Sequence, residues 1–190
     1  MKFFNRRSKM SLTSAVRVEV GDITKIGTDV IVNAANKQLA SGGGVCGAIF
    51  QAAGHSQLQA ACDAIGHCPT GSAVATPSFG LEKIGTHHII HAVGPRWNPG
   101  DAEHCAILLA SAYRSSLLLA QELGARTIAF PAISTGIYGF PVDRAAQVVA
   151  ELLTTELFNL DEIVLLSLQP DQARIYQICE SLTIIRNKLG

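Results

Sequence analysis

Three stretches of this chain, HHIIHAV from His87, TIAFPA from Thr127 and EIVLLSL from Glu162, are almost continuously apolar, and they constrain the fold more than any other feature. A strand with one wet face alternates apolar and polar residues, so runs of this kind suit strands covered on both faces. VRVEV from Val16, DVIVN from Asp29 and SAVAT from Ser72 read as further strands, bounded by turn formers. Between the runs the apolar period changes to that of a helix. Leu109, Ala112, Tyr113, Ser116, Leu117 and Ala120 share one face ahead of a stop at Gly124, and Val142, Ala145, Ala146, Val149, Leu152 and Leu153 repeat the pattern behind Pro141. Ile175, Ile178, Cys179, Leu182 and Ile185 predict a closing helix behind Pro170 and Asp171. Strand and helix alternate to the end, which defines the α/β class.

The chain has 190 residues, 48% hydrophobic and 16% charged, so it can bury one continuous core, and intrinsic disorder is excluded. We expect a basic tail over residues 1–14, carrying Lys2, Arg6, Arg7 and Lys9, and a single domain over 15–190. The tail is not followed by the apolar stretch of a signal peptide, and no run approaches a membrane span. Lys plus Arg and Asp plus Glu are both 15, so no global field draws the chain to nucleic acid or an anionic membrane, and a charged partner must be held by local groups. Five cysteines without a CxxC pair argue for reduced thiols in a cytoplasm.

Two small-residue loops, each between a strand and a helix, carry the candidate chemistry. In NAANKQLASGGGVCGAIFQAAG, Gly42, Gly43 and Gly44 let backbone N–H groups approach a ligand ahead of a helix expected near Gly47, whose N-terminus favours an anion. In PAISTGIYGFP, Ser134 and Thr135 supply hydroxyls, Gly136 and Gly139 permit tight turns, and Tyr138 and Phe140 bring aromatic surface. Both loops leave the carboxyl ends of strands, where open α/β sheets place ligands, so they could grip one phosphorylated molecule from two sides. Gly42, Gly44 and Gly47 satisfy G-x-G-x-x-G, but the loop does not follow the first strand and Asp63 falls in or just after a helix, which disfavours a dinucleotide site. The P-loop pattern is absent. His87, His88 and His91 form one potential metal cluster and Cys62, His67 and Cys68 another. A strand turns His88 away from the other two histidines, so no metal is expected.

Taken in order, VGDIT (Val20 to Thr24), VNAAN (Val32 to Asn36), GGGVCGAI from Gly42, CPTG (Cys68 to Gly71), HAVGP (His91 to Pro95) and FPAISTGIYGFP from Phe130 resemble the macrodomain family. They are closest to its MacroD-like branch, which includes bacterial deacetylases of O-acetyl-ADP-ribose. The resemblance runs from Val16 to Glu180. It implies a three-layer α/β/α domain with a mixed central sheet, an ADP-ribose cleft, and hydrolysis of ADP-ribose esters on mono-ADP-ribosylated proteins or of O-acetyl-ADP-ribose. No cofactor is implied, and we expect a monomer.

Carried over by motif, Asp22 is the acceptor for the adenine amino group and Ile23 the neighbour whose backbone meets the ring. Asn36 faces the distal ribose. Gly43, Gly44, Val45, Cys46 and Gly47 surround that ribose and the diphosphate, with Asn36 and Cys46 at the catalytic position. Ser134, Thr135, Gly136, Ile137 and Tyr138 form the second phosphate loop. Two positions depart from the pattern: Cys46 stands where the branch usually has Asp, and Leu168 where relatives often place an aromatic ring over the adenine. A thiol does not inherit the work of a carboxylate, so the alternative is a non-catalytic ADP-ribose reader. Read on their own, the lesser alternative for Asp22 is a helix cap ahead of Thr24 and Lys25, and Asn33 serves the turn after its strand.

Overall fold

The computed structural model describes residues 14–189, with side chains through Ser181; the basic stretch at the N-terminus lies outside the described residues. Six strands form one sheet: β1 (Ala15–Val20), β2 (Val30–Ala34), β3 (Ala73–Pro77), β4 (His88–Ala92), β5 (Thr127–Pro131) and β6 (Glu162–Ser167). Their order across the sheet is β1-β6-β5-β2-β4-β3, and every pairing is parallel except that of β3 with β4. The sheet is therefore mixed.

Helices α1 (Gly44–Ala53) and α2 (His55–Ile65) cover one face, and α3 (Ala102–Glu122), α4 (Val142–Thr155) and α5 (Pro170–Leu189) cover the other. The period of two sorts the strand residues between the layers. Val30, Val32, Ile90, Ala92, Ile128, Phe130, Ile163 and Leu165 join the α3–α5 core, while Ile31, Ile89, Ala129, Val164 and Leu166 join the α1–α2 core. Two buried faces explain why these strands lack polar alternation.

Strand β2 is the switch point of the topology. The chain leaves it toward β3 and β4 on one side and returns as β5 on the other. β2 and β5 pair only at Val30 with Ile128 and Ile31 with Ala129, so the segments that follow them are free to part. A crevice at the carboxyl ends of the strands follows from this arrangement.

Two helical expectations need correction. The helix expected near Gly47 begins at Gly44, and a second helix follows because Gly54, at φ 101°, breaks the ladder between α1 and α2. In α5 the buried face is Ala173, Tyr176 and Cys179, whereas Ile175 and Ile178 are exposed. Cys179 thus packs as expected, the two isoleucines do not, and Leu182 and Ile185 lie beyond the described side chains. Among the described residues no helix is long and apolar enough to cross a membrane.

Candidate functional site

The crevice is a cavity of about 600 Å³ at the carboxyl ends of β1, β2, β4, β5 and β6. It is lined by Asp22, Ile23, Asn36, Gly43, Gly44, Val45, Cys46, Ser134, Thr135, Gly136, Ile137, Tyr138 and Leu168. Gly47 is not among the lining residues. A Cβ there would meet the Gly42 carbonyl oxygen at 2.6 Å, so Gly47 lets the first turn of α1 pack against its own loop.

At one end, Asp22 caps a single 3-10 turn (Ile23–Lys25). Its Oδ1 accepts from the Thr24 N–H at 3.0 Å and the Thr24 hydroxyl at 2.7 Å, and its Oδ2 lies 3.4 Å from Lys25 Nζ. These hydrogen bonds from Thr24, with the Lys25 charge, hold the carboxyl below its ordinary range. The cap and the cleft position coexist in one side chain, because a carboxylate has lone pairs beyond those the turn uses. Leu168 and Ile137 are 67% and 92% exposed, leaving apolar surface bare on the rim.

At the other end, the Asn36 amide is locked. Its Oδ1 accepts from the Gln38 and Ala40 N–H groups, both at 3.2 Å, and its Nδ2 donates to the Ala40 carbonyl at 2.7 Å. One Nδ2 hydrogen is left for a ligand. Helix α1 opens with Gly43 as N-cap and no side-chain cap, so its first N–H groups and the positive end of its dipole face the cleft. Cys46, in that first turn, is 6% exposed, and its Sγ lies 3.6 Å from Asn33 Nδ2.

Asn33 is not the turn residue expected of it. It sits within β2, fully buried, in register with His91 of β4, and its Nδ2 also lies 3.1 Å from His91 Nδ1. With Nδ1 accepting, His91 Nε2–H is shared between Thr76 Oγ1 at 3.0 Å and Cys62 Sγ at 3.7 Å. Burial lowers His91 to a pKa of about 4 and pushes the Cys62 thiol up to about 11, so both are neutral at pH 7. A file of neutral polar groups thus backs Cys46 from beneath. Among the described residues no group of three His, Cys, Asp or Glu could hold a metal ion. His87 and His67 are exposed, while Cys62 and Cys68 are buried.

The second loop is held from three sides. Ser134 adopts φ 67°, and its backbone oxygen accepts from the Phe140 N–H at 3.0 Å. The Tyr113 hydroxyl bonds the Pro131 carbonyl at 3.2 Å and the Ile133 N–H at 3.4 Å from below. Gln172 of α5 donates to Thr135 Oγ1 at 2.9 Å and accepts from Ser167 Oγ at 2.7 Å. Gly94 comes so close that a Cβ would sit 2.1 Å from Ser134 Oγ. That hydroxyl is buried against Gly94 without a partner among the described residues, while Ser134 itself is one of the residues that line the cleft. Gln172, Ser167 and Gly94 all line the cleft and escaped sequence reading. A glutamine inside a helical period carries no local signal, and Gly94 was visible only as part of HAVGP.

Fold and cleft together define a class: an α/β domain in which two glycine-rich loops face each other across the switch point of a mixed sheet. The chain belongs to the Macro domain family, which it matches over residues 32–149. It is 44% identical over 172 residues to the O-acetyl-ADP-ribose deacetylase of Salmonella gallinarum, covering 87% of this chain and 93% of that protein. Among solved structures it resembles the Oceanobacillus iheyensis macrodomain with ADP, at TM-score 0.76 and 39% identity, covering 89% of this chain and 91% of that one. It also resembles the Trypanosoma brucei macrodomain in complex with ADP-ribose, at TM-score 0.76 and 32% identity, covering 87% of this chain and 68% of that one.

Proposed function

We propose that this chain binds ADP-ribose in the cleft and hydrolyses ADP-ribose esters, both on Asp or Glu of mono-ADP-ribosylated proteins and in O-acetyl-ADP-ribose. The observation that carries the reading is the pairing of the α1 N-terminus, which has no side-chain cap, with the loop from Ser134 to Tyr138 across one cavity of about 600 Å³. Such a pairing suits a diphosphate. Relatives solved with ADP and ADP-ribose, and relatives named deacetylases, support the choice of ligand and reaction. The adenine lies toward Asp22 and Ile23, beneath Leu168, and the distal ribose toward Asn36. The single domain over 15–190 acts as a monomer in the cytoplasm.

Water attacks the ester, and the products are a carboxylic acid and a free ADP-ribose hydroxyl. Among the described residues the only carboxylate lining the cleft is Asp22, at the opposite end from Asn36, so no acidic side chain stands ready as base beside the ester. The substrate's own phosphate fills that role, with the locked Asn36 amide orienting the distal ribose and the water. Cys46 also favours a second reading, a non-catalytic ADP-ribose reader, since binding needs only the loops.

Single-turnover release of ADP-ribose from an ADP-ribosylated glutamate peptide separates these readings. Wild type releases ADP-ribose, Cys46→Ala retains most of the rate, and Asn36→Ala loses about 100-fold or more. An inactive Cys46→Ala protein that still binds ADP-ribose would overturn the phosphate-assisted route in favour of an essential thiol. No release by wild type would leave the reader.

A further inference from the structure

The strand order sets which end of the cleft faces the polypeptide side of a substrate. Asp22 and Leu168 follow β1 and β6, and Asn36 and Gly94 follow β2 and β4 at the other end. Two residues beyond Gly94 the exposed Arg96 places its Cζ 4.4 Å from the centroid of the Tyr138 ring. The Trp97 N–H donates to the Tyr138 carbonyl at 2.8 Å, and the Trp97 ring meets Phe140 at 4.7 Å. Arg144, from the first turn of α4, lies 5.6 Å over Trp97. Two cations on aromatic rings thus form a surface continuous with the second loop, just outside the cavity.

These two arginines differ from the others among the described side chains. Arg17, Arg114, Arg126 and Arg174 each pair with a carboxylate. Among the described residues Arg96 and Arg144 have neither an ion pair nor a side-chain hydrogen bond. Asp101 and Asp143, close in sequence, pair with neither. Contact with a ring holds a guanidinium in place but leaves its in-plane N–H donors open. A planar fork held this way matches a carboxylate, and its restricted motion lowers the entropic cost of binding one.

Building on the ADP-ribosyl hydrolase reading, we propose that Arg96 and Arg144 receive carboxylates of the polypeptide that flanks an ADP-ribosylated Asp or Glu, so that the enzyme selects acidic protein segments. O-acetyl-ADP-ribose has no such flank and gains nothing from this surface. The preference for protein-linked substrate therefore resides outside the cavity, on residues that the nucleotide does not touch.

The test uses the full chain and two ADP-ribosylated glutamate peptides, one flanked by Asp and Glu and the other by Asn and Gln. Affinity is read with hydrolytically inert ADP-ribose linkages, and turnover with native esters. Wild type should favour the acidic peptide about fivefold in affinity and in kcat/KM, less so at high salt. Arg96→Gln with Arg144→Gln should bring the ratio to near one, while affinity for free ADP-ribose changes less than twofold. Arg126→Gln, which removes a charge at the opposite end of β5, should leave the ratio intact. Equal affinity of wild type for the two peptides would overturn the proposal and leave the hydrolase reading standing. Loss of free ADP-ribose affinity in the double variant would also overturn it, by assigning the arginines to the nucleotide. A preference seen in affinity without any turnover would uphold the surface and remove the hydrolase.

Discussion

Cys46 owes its setting to residues that do not line the cleft. Asn33 spans from Cys46 Sγ to His91 Nδ1, and His91 is anchored in turn by Thr76. With the Asn33 amide donating to Nδ1, the arrangement favours a neutral imidazole, because a second ring proton would face that N–H donor. Burial lowers the His91 pKa from an ordinary 6.5 to about 4. Between those values the unfolded chain takes a proton that the folded chain refuses, so stability is lost as the pH falls from 6.5 to 4. For a site this buried the loss reaches about 3 kcal/mol. Urea unfolding across that window should show it, and His91→Gln, although less stable at pH 7, should lose less on acidification. An equal decline in wild type and variant would show that the carboxylates account for the acid loss without His91. The sequence showed an Asn at a strand end and a His in a cluster of three. It could not show that parallel pairing of β2 with β4 sets them side by side.

Among the elements, the central strands were legible because burial on both faces leaves an unbroken apolar run, and α3 and α4 because their stripes continue for several turns. α5 was less so. Ile175 and Ile178 lie one residue off Tyr176 and Cys179, and a period of 3.6 does not choose between stripes when both are apolar. The glycine loops were legible as loops, but the task of each glycine was not. A Cβ added at Gly136 would meet nothing within 4 Å, and the residue lies outside the left-handed region, so its smallness serves the cleft alone. Gly47 serves the packing of α1 on Gly42. Gly136→Val should therefore keep the wild-type Tm and lose ADP-ribose binding by at least about tenfold. Gly47→Ala should lose both, because its methyl group must displace backbone. Calorimetric titration with thermal denaturation of each variant checks the pair. Full binding by Gly136→Val would place the diphosphate elsewhere, and an unchanged Tm for Gly47→Ala would mean that the loop yields at no cost.

At the scale of the molecule, the cleft gathers residues from the carboxyl ends of five of the six strands, and the described side chains that line it come from segments far apart in the chain. A ligand spanning the cleft therefore ties the β1–β6 edge to β2 and β4 across the place where β2 and β5 stop pairing. ADP-ribose at 100 times its Kd should stabilise the fold by about 2.7 kcal/mol, or about 5 to 10 °C in Tm for a chain of this size. Hydrogen exchange gives the sharper readout, because the two ends can be loaded separately. ADP carries the adenine and the diphosphate without the distal ribose, so it should protect the amides of Ile23 and Thr24, Gly44 to Cys46, and Gly136 to Tyr138. ADP-ribose should protect these and also the segment from Asn36 to Ala40, whose backbone is braced by the Asn36 amide. Equal protection of that segment by both ligands would mean that Asn36 does not face the distal ribose. Protection confined to one loop would show that the two loops do not grip a single ligand, and the catalytic placement of Asn36 would fall with it.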